Sequence, residues 1–235
     1  MLKKIPKENM FLANHGWLKS RFHFSFAEYR NYDNVNFGVL RVLNDDYIQA
    51  QTGFGTHPHQ DMEIVTYIIN GELTHEDSMG NKESLYRGEV QYMSAGTGIT
   101  HSEHNMGDEE LTLFQIWIVP PKKGLSPTYG SHRYKLEDRE DKLLNIVSSQ
   151  DGDAKIKLYQ DVNFYASEAK KGKTFEFDLK EDRQIYFAQI EGTTAINGTQ
   201  LNARDAMEIV DEKTLKIEAI EDSHFLFIEM AKSID

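Results

Sequence analysis

The sequence predicts an all-β chain folded as β-sandwich or jelly-roll barrels. Three observations predict it. Short runs rich in Val, Ile, Phe and Tyr recur along the whole length, with turn signals every eight to twelve residues or so. No stretch shows a sustained helical period, and none is of low complexity. The second half repeats the strand rhythm of the first, which implies two barrels in tandem.

In order, residues 14–30 are aromatic and partly alternating and read as a strand packed over a core. Asn36 to Val42 reads as a second strand, with Phe37, Val39 and Arg41 sharing a face and Asn44-Asp45-Asp46 as its turn. The run Ile64 to Ile69 is β-branched and aromatic, and Asn70-Gly71 is a hairpin signal that returns the chain through Glu72 to Asp77. Met79-Gly80-Asn81 turns it again towards Val90–Met93, and Ala95-Gly96-Thr97-Gly98 leads into Thr100–Glu103. Leu111 to Val119 is a long apolar strand closed by Pro120-Pro121. Residues 121–150 are more polar and read as a connection, with Glu137–Lys142 as a solvated face or short helix. Strands resume at 156–159, 163–166, 174–179, 185–190, 194–196, 206–210, 215–219 and 225–229, with turns at Gly192 and Asn197-Gly198. The expected domains are therefore 1–120, a connecting segment 121–150, and 151–235.

With 235 residues, 39% of them hydrophobic, a sizeable core is possible. A net charge of -12 argues against direct nucleic-acid binding, which needs clustered Lys and Arg. The absence of cysteine excludes disulfides and thiolate metal sites, so any metal must use His, Asp and Glu. The N-terminus has no apolar run long enough for a signal peptide, and no segment suits a bilayer, so a cytoplasmic protein is expected.

One pattern stands out chemically. In a strand, residues two apart share a face, so His57 and His59 point together, as do His101 and Glu103. Side by side, two such strands would make a four-ligand site of nitrogen and oxygen. A His-x-His pair alone is weak evidence, but joined to His-x-Glu after a glycine-rich loop it is strong. If the first strand runs straight, Glu63 also shares its face and competes with Glu103 as the carboxylate; otherwise Glu63 orients an imidazole or bonds the backbone. His75, beside Glu76 and Asp77, reads as a hydrogen-bonded strand histidine, and His104 as pointing away. His15 and His23 read as packing residues, His132 and His224 as surface or structural ones, and Phe114 and Trp117 as core, with one of them free to line a pocket. Gly96 and Gly98 are not a phosphate loop, since no helix start with Lys follows.

Gly55-Thr56-His57-Pro58-His59 through Glu63 and Gly71 is similar to the first cupin motif, and Gly88 through His101 and Asn105 resembles the second, with a longer spacer. More narrowly, Asn14-His15-Gly16-Trp17, Phe54 to His59, Asp61-Met62-Glu63, Gly71-Glu72-Leu73, His75 to Asn81, Met93 to Ile99 and His101-Ser102-Glu103 resemble the pirin family, its bacterial flavonol-cleaving members above all. That resemblance covers roughly residues 12–120. It implies a bicupin with metal in the N-terminal barrel alone, held by His57, His59, His101 and Glu103. It implies Fe(II) as the favoured ion, with Ni, Mn, Cu or Zn open. It also implies a dioxygenase that opens the central ring of quercetin-like flavonols with loss of carbon monoxide. Glu103 would then act as ligand and as base for the substrate enol. The alternative is a metal- and redox-responsive regulatory protein that binds a protein partner and has no physiological catalysis; a third is a cupin isomerase or small-molecule binder using the metal as a Lewis acid. A monomer is expected.

Overall fold

The structure, a computed structural model, describes residues 1–232. In chain order the strands are β1 (Leu2–Ile5), β2 (Phe11–Asn14), β3 (Leu18–Phe22), β4 (Leu40–Ile48), β5 (Thr52–His59), β6 (Glu63–Asn70), β7 (Leu73–Asp77), β8 (Lys82–Leu85), β9 (Val90–Ser94), β10 (Ile99–Asn105), β11 (Leu111–Ile118) and β12 (Thr128–His132). A one-turn helix, α1 (Leu136–Arg139), precedes β13 (Leu144–Ser149), β14 (Ile156–Leu158), β15 (Val162–Ala169), β16 (Thr174–Asp178), β17 (Arg183–Glu191), β18 (Thr194–Ile196), β19 (Thr199–Leu201), β20 (Ala206–Val210), β21 (Thr214–Ala219) and β22 (Ser223–Ala231). The chain is all-β, and it divides into two compact units, residues 11–133 and residues 1–10 with 134–235.

Each unit pairs a seven-stranded sheet with a four-stranded one, and the strand orders correspond. The first unit has β12-β9-β6-β11-β4-β3-β2 and β5-β10-β7-β8; the second has β1-β20-β17-β22-β15-β13-β14 and β16-β21-β18-β19. This is the tandem jelly-roll expected from the repeated rhythm. Its boundaries differ from those expected. Residues 1–10 belong with the second unit, where β1 zips onto β20 from Leu2↔Ile209 to Ile5↔Ala206 and Lys3 pairs with Glu208. The stretch 121–150 is no mere connection: β12 extends the first unit's large sheet on β9, and β13 pairs β15 in the second.

Two further differences lie in the first unit. Asn44-Asp45-Asp46 is not a turn but the middle of the nine-residue strand β4. The two carboxylates of that buried strand have partners: Ser20 donates to Asp46, and Arg21 and Tyr47 reach Asp45, whereas the buried Asn44 Oδ1 has no hydrogen-bond partner. The strand expected at 36–42 begins only at Leu40, after Gly38 takes a positive φ of 54° and Phe37 bridges Leu40.

The first unit's interior holds two apolar clusters. Leu18, Ile48, Ile68, Leu73, Leu85, Leu111 and Leu113 form one cluster, and Ile64, Met93, Ala95 and Ile99 the other. The corresponding facing strands of the second unit set Phe175 opposite Ile217 and Phe177 opposite Leu215, and all four join its apolar core. Where β5 and β10 carry imidazoles, β16 and β21 carry hydrocarbon.

Candidate metal centre

β5 and β10 run antiparallel, with His57 opposite His101 and His59 opposite Ile99. Alternation turns His57, His59 and His101 to the same side, and their ring nitrogens lie within 4.8 Å of one another. The register breaks one step on: Glu103 pairs with Phe54, so β5 carries an extra residue between Phe54 and His57. The bulge turns the Gly55 carbonyl back towards the His57 ring, which donates its Nδ1 hydrogen to it over 2.8 Å. Gly53 makes the close approach possible. A Cβ there would stand 2.3 Å from the Glu103 carbonyl oxygen.

A carbonyl only accepts, so the His57 Nδ1 carries a proton, and in the neutral tautomer the lone pair is on Nε2. This Nε2 lies 3.0 Å from the Nε2 of His101. The His101 Nδ1 is buried without a hydrogen-bond partner. Burial, with the neighbouring imidazoles His57 and His75 adding to it, pushes the His101 pKa down to about 3; burial, with His101 and His57, brings His59 down to about 4. With the His57 Nδ1 proton donated to the Gly55 carbonyl, His101 Nε2 donates to His57 Nε2, and the same convergence of imidazole nitrogens suits a bound cation in place of that proton. Ligand atoms about 2.1 Å from an ion stand about 3–4.2 Å apart, so nitrogens within 4.8 Å need only a small closure. The donor set fits a divalent transition metal.

Glu103 is buried beside this trio. Its Oε1 accepts from Gln91 Nε2 at 2.9 Å and its Oε2 from Gln115 Nε2 at 2.8 Å, with Thr66 Oγ1 3.3 Å from Oε1. The two amides fix the carboxylate, and Oε2, with one donor, keeps a lone pair. Its oxygen falls within 4.8 Å of ligand atoms of His101 and His75, a second grouping that shares His101 with the first. Glu63 joins neither. The chain does not run straight from His59: Asp61 takes a φ of 50°, and Glu63 opens β6 in the other sheet, buried and paired across to Ser94 and Ile118. Among the described residues both ligand groupings lie in the first unit.

A cavity of about 400 Å³ opens against His57, His59 and Glu103. Its aromatic walls are Trp17 edge-on to Phe54 at 5.1 Å and Phe26 edge-on to Trp117 at 5.4 Å. Trp117 therefore lines a pocket, as one of the two candidates could, while Phe114 is buried against His23. His15 is half exposed at the rim, 3.1 Å from Glu28, rather than packed. Ser20, Asn44 and Asp46 add a polar patch to the wall, and burial, reinforced by Asp45 and Glu103 and partly offset by Ser20, raises the Asp46 carboxyl to about 7. Gln91, Gln115 and Asp46 were not singled out in the sequence. A lone glutamine inside each apolar strand, β9 and β11, was the signal available. Of the other histidines, His104 alternates away from the trio and His224 is buried 3.8 Å from Glu191.

Two seven-plus-four-stranded barrels, with a histidine cluster in the first, define a bicupin. Residues 5–118 match the Pirin family model, and residues 145–230 match one described as the quercetinase C-terminal cupin domain. The chain is 42% identical over 219 residues to a quercetin 2,3-dioxygenase of Escherichia coli (strain K12), covering 93% of this chain and 94% of that one. It is 42% identical over 233 residues to a pirin-like protein of Caulobacter vibrioides, covering 98% and 100%. The crystal structure of the bacterial pirin YhhW from Escherichia coli in complex with nickel(II) superimposes with a TM-score of 0.92 at 39% identity, over 98% of this chain and 99% of that one. The chain belongs to the pirin family.

Proposed function

We propose that His57, His59, His101 and Glu103 hold one divalent transition metal, Fe(II) by preference, and that the protein is a dioxygenase opening the central ring of quercetin-like flavonols. The observation that carries this reading is the convergence of three imidazoles, two of them lining an aromatic-walled cavity of about 400 Å³, large enough for a flat polycyclic phenol. The names of the relatives support it. The bound metal supplies a Lewis-acid anchor for the substrate's enol oxygen and a redox partner for dioxygen.

The chain's own residues have distinct tasks. The Trp17/Phe54 and Phe26/Trp117 pairs grip the rings of the substrate and exclude water. Gln91 and Gln115 hold the Glu103 carboxylate so that a free lone pair accepts the enol proton. Flavonol plus dioxygen then gives the ring-opened ester plus carbon monoxide, and the proton held on Glu103 returns to the product. Metal-loaded protein with quercetin should consume oxygen and release carbon monoxide in equal amounts. Unchanged turnover after Glu103→Ala would remove Glu103 from this role.

A further inference from the structure

The polar interior behind the trio contains a histidine that the reading above does not use. His75 on β7 is fully buried, and its Nε2 lies 3.3 Å from Asp77 Oδ2. Asp77 is a well-supported carboxylate: it also accepts from the backbone of Met79 and from the backbone and side chain of Asn81. A carboxylate only accepts, so the His75 Nε2 carries the proton it donates there. In the neutral ring the lone pair is then on Nδ1, and that atom is buried with no hydrogen-bond partner. Tyr129 stacks on the ring at 4.6 Å and 15°, fixing its plane. A carboxylate holding one imidazole nitrogen while the other is bare is the arrangement that prepares a histidine for a metal. A buried polar atom left without a partner otherwise costs stability.

We propose that the first barrel contains a second, deeper cation position formed by His75, His101 and Glu103, whose ligand atoms all lie within 4.8 Å of one another. It takes the same class of ion as the outer position, a divalent transition metal. The proposal rests on the reading of His101 and Glu103 as ligands and adds His75 to them. The two positions exclude each other, because a neutral imidazole has one lone pair and His101 belongs to both sets. One ion therefore occupies either the outer, cavity-facing position with His57 and His59 or the inner one, all three of whose ligands are buried. His75 in this scheme is the alternative ligand that retains the metal when the outer pair is lost or displaced.

Anaerobic titration of the full-length apo-protein with Co(II), followed by the metal's visible ligand-field absorption, tests this without reference to turnover. Wild-type protein should bind one equivalent. The double variant His57→Ala/His59→Ala should still bind one equivalent, more weakly and with an altered spectrum, and adding His75→Phe should weaken that residual binding at least tenfold. Phenylalanine keeps the stack on Tyr129 and lacks the lone pair; His75→Leu is the substitute if the first variant fails to fold, judged by circular dichroism. Loss of all binding in the folded double variant, or residual binding indifferent to His75, overturns the inner position and leaves the outer one standing. Absence of binding in the wild type overturns both.

Discussion

The Nε2 atoms of His57 and His101 face each other at 3.0 Å across the β5–β10 pair, and the Gly55 carbonyl accepts the His57 Nδ1 hydrogen. A metal ion between them would replace that hydrogen bond by two ligand bonds. Adding Fe(II) or Ni(II) at about 100 times its Kd should stabilise the fold by about 2.7 kcal/mol, which raises Tm by about 5–10 °C for a domain of this size. His101→Ala should abolish that rise and weaken metal binding by more than the roughly 10–100-fold that loss of an outer partner costs. Calorimetry with and without metal measures both.

The depressed imidazoles make the metal-free protein acid-sensitive. His59 and His101 titrate at about 4 and about 3 in the fold, against an ordinary value of 6.5. Below pH 6.5 the unfolded chain takes up protons that the folded one refuses, so stability falls with pH from there until the folded values are reached, and is fully present above it. Denaturant unfolding of apo-protein at about pH 7.5 and about pH 5 should show the lower stability in the more acid buffer. A His59→Gln/His101→Gln variant should flatten the difference.

Asp46 acts in the opposite sense. Its carboxyl is raised from 3.8 to about 7, chiefly by burial, so ionising it costs the fold stability as pH climbs from about 4, and the full cost is reached above 7. Asp46→Asn keeps an acceptor for Ser20 and carries no charge. Relative to wild type it should gain stability steadily between about pH 4 and about pH 7, by a few kcal/mol at most, since a tenfold change in proton affinity is worth about 1.4 kcal/mol. If the stability difference between the two proteins were the same at about pH 4.5 and about pH 7.5, the buried carboxyl would not be titrating as described.

Gly53→Ala tests the bulge. The new Cβ would collide with the Glu103 carbonyl and the His104 Cα, so β5 and β10 must part. A loss of about 1–3 kcal/mol is expected from overpacking, together with weakened metal binding, because the two strands carry the ligands. Unaltered metal affinity would show that the ligand geometry does not depend on this contact.

In the second unit, Arg183 is 6% exposed and bridges buried Glu229 and the more exposed Asp161. Arg183→Met should cost about 3–5 kcal/mol by stranding the Glu229 charge. The double variant Arg183→Met/Glu229→Gln should recover part of the loss in urea unfolding.

Much of this architecture was readable from local pattern. Asn70-Gly71 turns the chain between β6 and β7 as expected, with Gly71 at a φ of 83°, and the long run from Leu111 is β11. His-x-His and His-x-Glu were legible because strand alternation fixes which neighbours share a face. Asn44-Asp45-Asp46 misled because three polar residues in a row look like a turn, and the partners that make the two aspartates tolerable inside a sheet, Ser20 and Arg21, come from the adjacent strand. Alternation by itself left Glu63 as a competitor to Glu103, because it holds only while a strand runs straight, and the chain turns at Asp61.

By itself the sequence determined the all-β class, the doubled barrel and which histidines share a strand face, since these follow from side-chain alternation and turn chemistry over a few residues. The tertiary structure alone decided that residues 1–10 join the second unit, that Glu63 opens a strand of the other sheet, and that His75 lies next to His101 with a buried nitrogen that has no hydrogen-bond partner. Each of those depends on which strands become neighbours across long separations, and on the bulge that shifts their register, neither of which local pattern encodes.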